Sequence, residues 1–113
     1  MKTFSVYHQC YSNTRATEFA IANFRKYNPN IPYYLLSDRG LDFSKIAEKH
    51  NCHFVMAPEN IGTNYLEKDK AKIYLNRLRN AFEYSGTDYI LTMEDDVLCR
   101  KELIIEDEFN IAM

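Results

Sequence analysis

The sequence predicts an α/β fold in which helices cover both faces of a parallel, Rossmann-like sheet. Two observations predict it. Short apolar runs alternate along the chain with longer segments whose apolar residues recur every three or four positions, which gives the order βαβαβαβ. The run from Tyr33 to Ser37 is almost continuously apolar, which is typical of a strand buried on both faces. The predicted strands are Phe4–Cys10, Tyr33–Ser37, His53–Ala57 and Tyr89–Met93.

The first predicted helix runs from Arg15 to Tyr27, with Thr14 as its N-cap. Asn28, Pro29 and Asn30 end it, because proline cannot continue a helix. Its predicted inward-facing residues are Ala16, Phe19, Ala20, Phe24 and Tyr27.

Two further helices are predicted before the last strand. The shorter spans Phe43 to His50, with Phe43, Ile46, Ala47 and His50 facing inward. The longer begins at Tyr65 or Asp69 and runs to Tyr84, where Ser85 and Gly86 end it. Its predicted inward-facing residues are Ala71, Tyr74, Leu75, Leu78, Ala81 and Phe82. The segment from Glu102 to Ala112 is also predicted to be helical.

Composition excludes several classes of function. Acidic residues exceed basic ones by only two in 113 residues, so no strong positive field is available to bind nucleic acid. No apolar segment approaches the length of a membrane span, and the N-terminus lacks the apolar run of a signal peptide. Cys10, Cys52 and Cys99 are widely separated and odd in number, which fits a reduced cytoplasmic protein better than a disulfide framework.

The strongest candidate for a functional site is the acidic triplet Glu94, Asp95 and Asp96, which directly follows the last strand. Adjacent carboxylates repel one another, so a bound cation is one reason for them to cluster. Oxygen ligands favour hard ions, and Mg²⁺ and Mn²⁺ commonly bring substrate phosphates with them. The alternative interpretation is a solvated turn.

Other polar residues are predicted to meet the triplet, because the carboxyl ends of parallel strands form one edge where ligands bind. Asp38 ends the second strand, where it accepts from a nucleotide or simply supports the turn at Arg39 and Gly40. Tyr11 follows the first strand, where it stacks on a base or packs. Basic residues on or before the long helix belong to its solvated face or contact a diphosphate: Lys68, Lys70, Lys72, Arg77 and Arg79.

Five segments, in this order, resemble the N-terminal nucleotide-binding half of GT-A fold glycosyltransferases, closest to the family 2 type. They are Phe4–Ser12, Leu35–Gly40, Glu59–Gly62, Leu78–Ala81 and Tyr89–Asp96. They resemble, respectively, the family's opening strand and loop, its Asp-Asp-Gly-Ser-like turn, its Asn-Gly-Gly-like loop, its Ala-Arg-Asn-Ala helix, and its strand with a DxD motif. The resemblance extends from Phe4 to about Leu103 and implies one nucleotide-sugar-binding domain over residues 1–113.

The resemblance implies a role for each matching residue. Asp96 would be the main metal ligand, and Glu94, at the first DxD position, a second ligand for Mn²⁺ or Mg²⁺. Glu94 or Asp95 would contact the ribose or a metal-bound water. Asp38 would accept from the base, commonly uracil, and Tyr11 would stack near it. Arg79 would be the first candidate to face the diphosphate, followed by Arg77 and Lys72.

The sequence departs from the family at Ser37, Arg39 and Thr63, which affects the donor contacts. It also contains no match to the half of the family that binds the acceptor and supplies the base of inverting members, so no catalytic residue is assigned. The resemblance implies sugar transfer from a UDP-sugar or related donor to an unknown acceptor hydroxyl. The alternative is a truncated or split domain that binds donor or partner without turnover. A receiver-like signalling domain is disfavoured because no acid pair follows the first strand. An uncovered sheet edge would favour self-association or a complementing chain.

Overall fold

The computed structural model describes residues 2–62 and 67–96, with side chains from residue 69 onward in the second range. The elements within these residues are β1 Phe4–Cys10, α1 Thr14–Tyr27, β2 Tyr33–Ser37, α2 Ser44–Lys49, β3 His53–Met56, α3 Glu67–Ser85 and β4 Tyr89–Met93. The predicted helix Glu102–Ala112, together with Thr63 and Cys99, lies outside the described residues.

The described strands form one parallel sheet in the order β3-β2-β1-β4, which confirms the predicted α/β class. In β1, Val6 pairs with Tyr33 of β2 and with Leu91 of β4, so β1 lies at the centre of the sheet. The bounds of β1, β2 and β4 are those predicted. β3 ends one residue earlier than predicted, although the Ala57 amide still donates to the Ser37 carbonyl at 2.9 Å.

Alternate strand residues contribute side chains to two hydrophobic cores, one on each face of the sheet, because successive side chains of a strand point in opposite directions. One core joins the strands to α1 and α2 and contains Phe4, Val6, Cys10, Ile21, Phe24, Tyr33, Leu35, Phe43, Ala47 and Met93. The other joins them to α3 and contains Tyr7, Tyr34, Leu36, Ala57, Leu78, Ala81 and Ile90. Helices therefore cover both faces, as predicted.

The predicted inward stripe of α1 is wrong in part. Ala20 and Phe24 are buried as predicted, but Phe19 is 65% exposed, and Thr17 and Ile21 are buried instead, so the helix is rotated about its axis relative to the prediction. The N-cap is Asn13 rather than Thr14, and its side chain accepts from the Ala16 amide at 3.1 Å. The apolar spacing fits either orientation, and burial of Thr17 depends on a partner outside the helix.

The predicted inward stripe of α3 is wrong in part. Leu78 and Ala81 are buried as predicted, but Ala71 is exposed and Leu75 is 62% exposed. Arg77 is buried instead, although arginine is rarely buried without a partner. Its position shows that a polar interaction, and not apolar periodicity alone, orients this helix.

The α2 helix is shorter than the predicted Phe43–His50 segment. Phe43 is its N-cap residue and His50 its C-cap residue, so both lie just outside the helix. The Phe43 side chain is nevertheless fully buried, and Ala47 is buried beside it. No helix in the described part of the chain has the length and apolar character needed to cross a membrane.

Candidate functional site at the β1 and β4 carboxyl ends

A cavity of about 410 Å³ opens where the carboxyl ends of β1 and β4 lie side by side. Strand order reverses here, since β2 and β3 follow on one side of β1 and β4 lies on the other. In open parallel sheets, such a switch point is where ligands bind. The residues that line the cavity are Tyr7, Gln9, Tyr74, Thr92, Met93, Glu94, Asp95 and Asp96.

The three adjacent acids differ in their surroundings. Oδ1 of Asp95 lies 2.6 Å from Nε2 of His8 and accepts from the Thr17 hydroxyl at 2.9 Å. Glu94 and Asp96 are exposed, and neither carboxylate has a hydrogen bond or ion pair with another described residue. One acid is therefore part of the folded core's polar contacts, and two present carboxylates at the cavity that no other described residue binds.

His8 links the acidic triplet to the interior. Its side chain is fully buried, and Nδ1 lies 2.6 Å from the Tyr33 hydroxyl. We assign the imidazole protons from these contacts: a carboxylate accepts, so Nε2–H of His8 donates to Asp95, and in the neutral ring Nδ1 then accepts from Tyr33. Burial raises the pKa of Tyr33 well above its usual value, which keeps its hydroxyl protonated as the donor.

Two tyrosines form the aromatic side of the cavity. Tyr7 and Tyr74 meet edge to face, with ring centroids 5.8 Å apart. Burial raises the pKa of both hydroxyls, and the charge of Glu94 adds to the effect at Tyr74. The Tyr7 hydroxyl donates to Oε1 of Gln9 at 2.8 Å. The two phenols are therefore neutral groups at neutral pH.

Asp38 lies at the same sheet edge but is enclosed by the protein. Oδ1 accepts from Nη1 of Arg77 and from the Ile61 amide, both at 2.9 Å. Oδ2 accepts from the Gly62 amide at 3.1 Å. The carboxylate thus binds internal donors and holds the loop after β3 against β2, whereas the family resemblance implies that it accepts from a nucleotide base.

Arg77 connects this loop to the cavity. Besides Asp38, Nη1 donates to Oε1 of Gln9 at 3.1 Å, and Nη2 donates to the Glu59 carbonyl at 2.7 Å. Gln9 in turn lines the cavity. Arg77, the second candidate to face the diphosphate, is therefore bound to protein groups.

The structure brings some of the predicted site residues together and leaves others apart. Glu94, Asp95 and Asp96 share the cavity. Tyr11 and Arg79 do not line it; both are exposed, Tyr11 in the loop after β1 and Arg79 on α3.

Sequence reasoning missed His8 and Thr17 as partners of the acids. A usable signal existed for His8, because strand alternation puts it on the same face as Val6 and Cys10, where a buried polar ring requires partners. No comparable signal marks Thr17, whose hydroxyl bonds to a residue 78 positions away.

The donor set at the cavity fits a divalent ion held jointly with a phosphate ligand. Within residues 2–62 and 67–96 there is no cluster of three His, Cys, Asp or Glu side chains arranged to hold a metal by themselves. Mg²⁺ is usually bound through one or two carboxylates together with substrate phosphates and water. The exposed carboxylates of Glu94 and Asp96, unpaired within the described part of the chain, match that requirement.

Comparison with known proteins finds no family model, curated protein or solved structure that matches this chain.

Proposed function

We propose that the chain binds a nucleoside-diphosphate sugar, with Mn²⁺ or Mg²⁺, in the cavity between β1 and β4. The reaction class is transfer of the sugar to an acceptor hydroxyl, as in GT-A glycosyltransferases. The observation that supports this most is the pair of exposed carboxylates, Glu94 and Asp96, at the switch-point cavity of a parallel sheet. A UDP-sugar is the favoured donor because of the resemblance described above.

The acids have separate tasks in this proposal. Glu94 and Asp96 hold the ion beside the diphosphate. When bound, the ion offsets the negative charge that grows on the diphosphate as the bond to the sugar breaks. Oδ2 of Asp95 has no hydrogen-bond partner among the described residues and is the acceptor for a ribose hydroxyl.

The rest of the cavity suits the remainder of a nucleotide. Tyr74 offers an aromatic ring inside the cavity, so it is better located than Tyr11 to contact a base. Helical periodicity puts Lys70, one turn before Tyr74, on the same side of α3, whereas Arg79 lies on another side. Nζ of Lys70 donates to the Gly62 carbonyl at 3.3 Å, an exposed contact, and we assign Lys70 to the diphosphate on condition that it leaves this contact when the donor binds.

Calorimetry tests the binding step. UDP and GDP are titrated into the protein with and without Mn²⁺, and we expect heat of binding for at least one of them only when Mn²⁺ is present. Asp96→Asn and Glu94→Gln should each weaken binding about tenfold or more, because each removes a charged ligand. Glu83→Gln, an exposed acid near the end of α3, is the matched control. Absence of binding, or unchanged binding by Asp96→Asn, contradicts the proposal.

Turnover is a separate question from binding. Release of UDP from a panel of UDP-sugars with Mn²⁺ measures hydrolysis or transfer. Release that depends on Asp96 supports a transferase. Donor binding without release supports the alternative, a domain that binds donor and depends on other groups for chemistry.

A further inference from the structure

Two residues outside the acidic triplet hold the side chain of its middle acid. His8 on β1 and Thr17 on α1 both donate to the same oxygen, Oδ1 of Asp95. We infer that His8 and Thr17 are positioning residues that hold Oδ1 of Asp95 in the fold and thereby fix how the triplet presents Glu94, Asp96 and the second oxygen of Asp95 at the cavity. This inference rests on the function proposed above.

The burial of the two donors makes the contact effective. The side chains of His8 and Thr17 are fully buried, whereas that of Asp95 is 30% exposed. Water competes poorly for buried donors, and each would be left unsatisfied if Asp95 turned outward. Because the donors come from a strand and a helix, the carboxylate is held from two directions.

The hydrogen bonds to Asp95 also offset the repulsion among the three consecutive carboxylates. A triplet without anchors would spread all three side chains into water, where the charges lie farthest apart. Hydrogen bonds to the middle acid, Asp95, hold it in place against this repulsion. The residues on either side, Glu94 and Asp96, are then exposed beside the same cavity.

Tyr33 acts on the other end of the imidazole. Its hydroxyl satisfies Nδ1 of His8, and its ring packs edge to face on Phe24 at 5.4 Å between centroids. It therefore supports His8 in the core but does not contact Asp95. Because Tyr33 orients the imidazole, the control for core stability is a buried residue outside these polar contacts, and Ile21 on α1 is fully buried and apolar.

Matched substitutions test the inference. Thr17→Val keeps the shape of the side chain and removes the donor, and Thr17→Ser restores a hydroxyl. His8→Asn is too short to reach Asp95, whereas His8→Gln can direct an amide N–H toward the position of Nε2. Ile21→Val, which removes one buried methyl group from α1, is the control that alters core stability alone. Thermal melting tests whether each variant is folded. If His8→Asn does not fold, Thr17→Val alone tests the inference.

Two readouts are measured on each folded variant. Calorimetry with Mn²⁺ and UDP gives the affinity, and NMR of the ligand-free protein gives the amide shifts and heteronuclear relaxation of Glu94, Asp95 and Asp96. We expect Thr17→Val and His8→Asn to weaken affinity about tenfold, the effect of one lost hydrogen bond to a charged group, and to increase motion at these amides. Thr17→Ser, His8→Gln and Ile21→Val should stay within about threefold of wild type on the same scale.

The outcomes distinguish failure of the proposed function from failure of the positioning inference. If the wild-type protein binds neither Mn²⁺ nor UDP, the proposed function fails, while the NMR comparison still decides whether these residues order the turn. If the wild type binds and Asp96→Asn does not, but Thr17→Val and His8→Asn bind as wild type with unchanged amides, the positioning inference is overturned. An equal loss of affinity in Ile21→Val also overturns it, because a general loss of core stability would then explain the effect.

Discussion

Nη1 of Arg77 lies 2.9 Å from Oδ1 of Asp38, and each of the two side chains is only 6% exposed. This buried ion pair joins α3 to the end of β2. Through Gln9 it also reaches β1, and through the Ile61 amide it holds the loop that follows β3. The carboxyl edge of the sheet is therefore held together by internal polar contacts.

Asp38→Asn should lower the free energy of unfolding by about 3–5 kcal/mol, because it leaves the buried Arg77 charge without its main partner. Urea denaturation measures the loss. Glu18→Gln is the surface control: its carboxylate pairs with Lys49 and His50 near solvent, and its removal should cost about 1 kcal/mol or less. Equal losses in the two variants would show that the buried pair contributes no more than the exposed one.

The orientation of α1 predicts opposite outcomes for two phenylalanines five residues apart. Phe24→Ala removes a fully buried ring and should cost about 3–5 kcal/mol. Phe19→Ala alters a side chain that is 65% exposed and should change stability by about 0.5 kcal/mol or less. Thermal or urea unfolding of the two variants checks this. A larger loss from Phe19→Ala would restore the helix orientation inferred from the sequence.

Gly40 is required because the backbone of Tyr11 passes close to it. A Cβ at Gly40 would lie 2.0 Å from the Tyr11 carbonyl oxygen, so the loop after β1 must move to accept it. We expect Gly40→Ala to cost about 2 kcal/mol or more, and to shift the amide of Leu41, which donates to the Tyr11 carbonyl.

Gly86→Ala is the control for Gly40→Ala. Gly86 has a φ of +65° and open space around it, so only backbone strain opposes alanine there, at about 1 kcal/mol. If Gly40→Ala costs no more than Gly86→Ala, the close approach at Tyr11 does not constrain the fold.

The thiols of Cys10 and Cys52 should react slowly at pH 8 in the folded protein. Burial raises the pKa of Cys10 to about 12, with a further contribution from the Asp95 charge, and burial raises that of Cys52 to about 11. Mass spectrometry after a short exposure to iodoacetamide should find both peptides largely unmodified, whereas both should be modified in urea. Rapid modification of Cys10 in the folded protein would contradict its burial.

The same pKa shifts give the sign of the pH dependence. A thiol whose pKa is higher in the folded state stabilises the fold below the unfolded-state value of about 9. That contribution is lost as pH rises from 9 toward 12. Cys10→Ala should therefore show a smaller loss of stability than wild type between pH 8 and pH 10.5, measured by urea denaturation.

The order of helices and strands and the parallel sheet could be predicted from the sequence because they depend on local patterns. The apolar run Tyr33–Ser37 is buried throughout, and β1 and β4 begin and end at the predicted residues. The location of Glu94, Asp95 and Asp96 at the carboxyl edge follows from the same topology, since they directly follow a parallel strand.

Helix orientation could not be predicted from apolar spacing, because polar contacts across the fold decide it. Thr17 is buried through its bond to Asp95, 78 residues away, and Arg77 through its pair with Asp38, 39 residues away. No local pattern reports such partners.

The sequence by itself determined the fold class and the edge at which the acids lie. Only the tertiary structure decided how the three acids at the cavity differ: Oδ1 of Asp95 is bound by His8 and Thr17, whereas no described residue binds the carboxylates of Glu94 and Asp96. The physical reason is that position along a strand depends on local backbone geometry, whereas the direction of a charged side chain depends on which buried donors the completed fold brings within hydrogen-bonding distance.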